Sequence, residues 1–272
     1  SLKLILFCSR RTPTFQHLNG LNPLHRAVDE GMLDVVDYVI KKGANIQSKT
    51  KNGNTPLHVA ARSGNLEVAK FLVDNGADIH ARSENYYNCT PFQLAVICSK
   101  LEVAKFLISV GSDINWDQMR TALHLARHLS TVKLLIDKGA NVNAMDKSLN
   151  TPLHIARTPS IAKCLLEHGA EVNASNKSGD TPLHFVQNFH TAKILIEKGA
   201  IVNACNNEGY TPLHTARNTA IAKLLLENGA ELKAVTKNGK TVVHTGAEAD
   251  VISLSQYKDV KWCKCGSSDQ FR

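Results

Sequence analysis

Thr151-Pro152-Leu153-His154-Ile155-Ala156-Arg157-Thr158-Pro159-Ser160-Ile161-Ala162-Lys163-Cys164-Leu165-Leu166-Glu167-His168-Gly169-Ala170 is the stretch from which the rest of the chain can be read. Thr caps helix starts, and Pro at the first helical position gives up a hydrogen bond that was unavailable there anyway. Leu153 and Ala156 then face a core. Ile161-Ala162-x-x-Leu165-Leu166 supplies the apolar stripe of a second helix. Gly169 suits the left-handed position just past a helix end. One such pair of helices cannot bury its apolar face alone, so it must stack on copies of itself.

Copies are present. The opening tetrapeptide or a close variant starts at residues 22, 55, 90, 121, 151, 181, 211 and 241. The first seven are each followed by Gly-Ala or, at Gly111-Ser112, a near variant. Six of the eight prolines occupy the one slot after the capping position. Polar stretches rich in Asn, Lys, Asp and Gly join each unit to the next, as hairpin loops would. At these motifs the chain resembles the ankyrin-repeat family, whose marker is T-P-L-H-x-A within a repeat of about 33 residues. Thr55–Ala60, Thr151–Ala156 and Thr211–Ala216 match it in full. The resemblance covers about residues 20–256 and implies an all-α solenoid of about eight stacked helix-turn-helix units with protruding hairpin loops.

The copies are not uniform. Motif starts lie 33, 35, 31, 30, 30, 30 and 30 residues apart. From motif to Gly the distance is 21 residues in the first three copies and 18 in the next four. The inter-helix turn and nearby helix ends are therefore expected to lose most of a helical turn beyond residue 112, with a change of curvature. The expected organisation is a capping segment at 1–20, three standard repeats at 21–112, four compact repeats at 113–240, a polar cap repeat at 241–258 and a tail at 259–272.

Composition narrows the function. An apolar fraction of 43% with only 6% aromatics fits thin helical layers. No apolar run reaches the 18 or so residues of a membrane span. Seven irregularly placed cysteines read as thiols of a reducing compartment, hence an intracellular (cytoplasmic or nuclear) protein. The Ser at position 1 is compatible with an excised piece, including the targeting arm of a larger ligase adaptor or of an effector delivered into a host cell. Cys263-Lys264-Cys265 has no second Cys or His pair at zinc spacing, so no metal or other cofactor is expected.

Seven of the twelve histidines stand fourth in the motif. Stacked helices lie roughly 10 Å apart, too far for neighbouring copies to share one metal ion. The resemblance implies instead that this His ties the turn together. No nucleophile elbow, phosphate loop or HExxH appears, and no enzyme is expected. The first helices end in Arg62, Arg127, Arg157 and Arg217, with Gln187 in place of one. The resemblance places this row and the loop tips on a concave binding face. Both helix capping and partner binding fit these arginines. Loop residues Tyr86, Tyr87, Trp116, Arg120, Lys147 and Tyr210 complete the candidate set, because Tyr, Trp and Arg dominate interface energetics. For the aromatics, packing of the altered loops fits as well as binding.

The net charge of +8 is spread as +4 over residues 1–112, +4 over 113–247 and zero beyond. Spread charge is ordinary solvated surface, but its sign favours a partner with an acidic surface. The expectation is a monomeric scaffold binding another protein. The alternative is a basic stripe binding nucleic acid or another polyphosphate, disfavoured because the charge forms no aromatic-studded patch.

Overall fold

The structure, a computed structural model, describes residues 21–84, 88–115 and 121–242. It is all-α, built of helix pairs, and among the described residues the one β pairing is an isolated bridge between Val235 and Thr241. The expected N-terminal capping segment, the tail and all of the cap repeat beyond residue 242 lie outside the described residues. The chain divides into two compact units, residues up to 114 with 125–134, and 115–124 with residues from 135 on.

The first unit holds the pairs Pro23–Asp29 and Leu33–Lys41, Pro56–Ser63 and Leu66–Asp74, and Pro91–Ile97 and Leu101–Ser109. First helices stack on first helices and second on second. Leu24, Leu57, Phe92, Leu72 and Leu107 are fully buried between them. Each such side chain is worth about 1.5–3 kcal/mol of burial, so the stack supplies what no single pair could.

The second unit repeats the plan with shorter first helices: Pro152–Ile155 before Pro159–Glu167, Pro182–Phe185 before Phe189–Glu197, and Pro212–Thr215 before Thr219–Glu227. Another short pair, Ala122–Leu125 and Leu129–Asp137, has residues in both units. Every second helix from Leu33 to Glu227 keeps nine residues. First helices of seven or eight residues contract to single turns of four. The three missing residues thus come out of the first helix.

Chain entry into the second helix changes accordingly. In the longer repeats Met32, Asn65 and Lys100 precede it without a side-chain cap. In the short ones the backbone turns extended at Ala156, and Thr158 caps the helix by accepting from Ile161 N–H at 3.3 Å. Asn188 and Asn218 do the same with their amide oxygens. Ala170 N–H and Gly169 N–H close that helix on Leu165 O and Leu166 O, with Gly169 at φ +85°.

Side-chain amides bolt neighbouring loops together. Asn143, Asn173 and Asn203 each donate to the Gly carbonyl ending the next repeat (Gly169, Gly199, Gly229) and accept from an N–H two residues on. The hairpin tips add Lys177 N–H to Ser148 O and Asn207 N–H to Ser178 O. At Gly179 (φ +77°) a Cβ would sit 2.9 Å from Asn207 N. Only glycine permits that approach.

Candidate functional site

The motif histidines shape the ground on which the candidate face stands. His154 is buried, with Nδ1 3.0 Å from Thr151 N and Nε2 3.1 Å from Asp180 O of the next repeat. An amide can only donate and a carbonyl only accept, so the neutral ring carries its proton on Nε2. His58 does the same with Thr55 N and Cys89 O. His184 bonds Thr181 N and Tyr210 O. One ring nitrogen caps the turn of its own repeat and the other fastens the next repeat, so neither is offered to a metal. Desolvation by burial pulls His25, His58, His154, His184 and His214 below the ordinary imidazole range. Gln93 replaces His in the third repeat and keeps the capping half, its Oε1 3.0 Å from Thr90 N. Among the described residues no group of three His, Cys, Asp or Glu side chains could hold a metal ion.

The arginine row divides into two kinds. Arg62 lies in the last turn of its helix with Nη2 3.1 Å from Asp29 Oδ1, while Ser63 Oγ shares the same oxygen. Its charge is answered. Arg127, Arg157 and Arg217 stand on the extended connector between helices, exposed, with no hydrogen bond or ion pair among the described residues. They do not cap the helix carbonyls. Arg157 lines a groove of about 410 Å³ in the second unit, with Ile155 on its own side and Phe185, Gln187, Asn188 and Thr191 across from it. Phe185 meets the His154 ring edge-on at 5.9 Å and remains 44% exposed.

Lys147 is exposed at a hairpin tip. Tyr210 is half-buried, its ring edge-on to His214 at 5.8 Å and its N–H donated to Asn206 Oδ1. Packing thus occupies part of the ring suggested as an anchor. Tyr86, Tyr87, Trp116 and Arg120 lie outside the described residues.

A sequence profile described as ankyrin repeats (three copies) matches residues 1–83, 92–176 and 157–236. The chain belongs to the ankyrin-repeat family. A crystal structure of the human ASB11 ankyrin repeat domain is similar to it at 27% identity and a TM-score of 0.69, covering 76% of this chain and 97% of that one. No curated protein matches the chain. Ankyrin repeats are in general protein-interaction modules rather than catalysts, and no described helix of this one is long and apolar enough to cross a membrane. None of Cys89, Cys98, Cys164 and Cys205 is disulfide-bonded.

Sequence reasoning missed Phe185 and the asparagine ladder in this ankyrin-repeat chain. A signal for the first existed: aligned copies carry Ile155, Phe185 and Thr215 at one position, so the largest side chain stands out. The ladder also had a trace, an Asn at the same loop position in successive repeats. Its meaning needs the next repeat's carbonyl, 26 residues away.

Proposed function

We propose that this chain is a non-enzymatic scaffold that binds another protein, one with an acidic surface, through the first-helix connectors and adjoining loop tips. Arg157 and Arg217 carry the reading. They stand exposed and, among the described residues, without ion pairs at equivalent positions of one unit, whereas Arg62 is neutralised by Asp29. Holding uncompensated like charges in one row does nothing for folding, and it steers an anionic partner toward the face. Arg127, Lys147 and Tyr210 extend the proposed contact set, as do Tyr86, Tyr87, Trp116 and Arg120. The reading includes a monomer in a reducing, intracellular compartment, in keeping with the four thiols.

Affinity capture followed by mass spectrometry tests it, with wild type run beside the Arg157→Glu, Arg217→Glu double variant. Partners enriched by wild type and lost by the variant at unchanged circular dichroism support the reading. Partners unaffected by charge reversal would move the site elsewhere. Duplex or single-stranded nucleic acid retained at low salt, and lost in the variant, would replace the reading with the polyphosphate alternative.

A further inference from the structure

Internal repeats act as their own control. Equivalent backbone positions share the same packing demand, so differences between copies stand out: the middle copy changes inside, with buried Thr191 where its neighbours carry Ile161 and Ile221, and it changes in solvent at Phe185 and Gln187. Buried Leu153, Leu183 and Leu213 are alike, as are Ala162, Ala192 and Ala222, and Leu165, Leu195 and Leu225. The run that follows the motif histidine is not alike. Ile155-Ala156-Arg157 and Thr215-Ala216-Arg217 flank Phe185-Val186-Gln187. The middle copy gives up its arginine and gains an exposed phenyl ring.

The substitution falls at a groove. Phe185 and Gln187 form one wall and Ile155 and Arg157 the other. A volume of about 410 Å³ lies in the range of pockets that take small ligands, and so has room for a side chain of a partner. A Phe left 44% exposed still has apolar area to bury. Arg157 at the rim and Arg217 two repeats away are both without ion pairs among the described residues, which specifies the charge of what lies alongside. Stacked helices are spaced roughly 8–10 Å, so two repeats span about 16–20 Å. An extended peptide covers that distance in five or six residues at about 3.3 Å each.

Resting on the protein-binding reading above, we propose that this groove reads an extended partner segment in which an apolar side chain, seated against Phe185, lies between two acidic residues five or six apart that pair with Arg157 and Arg217. Gln187 replaces the arginine that would otherwise desolvate beside the apolar side chain. The occupant is a peptide of this pattern, and the specificity lies in its spacing.

Selection of a phage-displayed library of random twelve-residue peptides on the full chain tests this. Wild type is expected to enrich peptides with two acidic residues five or six apart and an apolar residue between them. Phe185→Ser should keep the acidic spacing, lose the apolar preference and weaken a wild-type-selected peptide about tenfold or more. Arg157→Glu with Arg217→Glu should lose the acidic preference. Both variants alter exposed side chains, and unchanged melting temperatures will show that they fold. A consensus indifferent to Phe185 overturns the groove proposal. A consensus indifferent to all three residues overturns it too, while leaving a protein-binding scaffold with its site elsewhere. No enrichment over bare beads, with single-stranded RNA binding at low salt lost in the arginine variant, overturns both.

Discussion

Replacing His154 by alanine removes three bonds at once. Thr151, 1% exposed, loses the acceptor for its N–H and its hydroxyl, while Asp180 O in the following repeat loses the imidazole but keeps Asn176 N–H. A buried donor left unsatisfied costs about 1–3 kcal/mol, and a carbonyl that loses one of two donors forfeits about 0.5–1.5. The expected destabilisation is therefore roughly 2–4 kcal/mol. His154→Gln separates the two halves, because Gln93 shows that a glutamine oxygen reaches the capping N–H at 3.0 Å. It should cost about half as much as alanine. Urea denaturation followed by circular dichroism measures the loss, and amide exchange at residues 151, 183 and 184 localises it. Linear arrays unfold repeat by repeat, so the local readout matters as much as the global one. An alanine variant within about 0.5 kcal/mol of wild type would refute the fastening role, and equal losses for Ala and Gln would refute the capping half.

Acid should act on the same row. Desolvation by burial lowers the His154 pKa from 6.5, with the Asp180 carbonyl bond and nearby carboxylates opposing. A group whose folded pKa is depressed contributes stability that is complete above its unfolded value. That contribution is lost as pH falls from 6.5 toward the folded pKa. Within that window each such histidine contributes up to about 1.4 kcal/mol per pH unit. Urea midpoints should fall between pH 7.5 and 5.5, less steeply in His154→Gln; parallel curves would contradict the assignment. Gly179→Ala, at φ +77° and against the Asn207 backbone, should destabilise by about 2–4 kcal/mol and speed exchange at Asn207. Asn173→Ala removes two inter-repeat bonds and should cost about 1–3 kcal/mol. Asn173→Asp should do no better at pH 7, since it sets a carboxylate oxygen against Gly199 O. Arg62→Ala breaks only an exposed ion pair and should change stability by less than about 1 kcal/mol while leaving partner capture intact, unlike Arg157→Ala.

The helix pairs were legible because their signals are short-range. Thr151 capping, Pro152 at the first helical position and Gly169 at the end each act within one helical turn, so the residues that declare the structure are the residues that make it. The 18-residue spacing foretold that something was lost between the helices. It did not say that the first helix alone would shrink to four residues, nor that Thr158, Asn188 and Asn218 would take over capping of the second. That choice depends on the stacked neighbours, which hold each nine-residue second helix against the core.

Sequence alone thus determined the repeat and its helices, since local capping and apolar spacing are written in contiguous residues, while the resemblance supplied the histidine's turn-tying role and the structure its bond to the next repeat. Tertiary structure decided which arginines are unanswered. Arg62 meets Asp29 from 33 positions away while Arg157 and Arg217 meet no partner among the described residues, and spelling gives the three no distinction. It also decided that Phe185 stays in solvent beside a groove. Charge compensation and exposure are properties of the space around a side chain, and in a solenoid the neighbouring repeat fills that space.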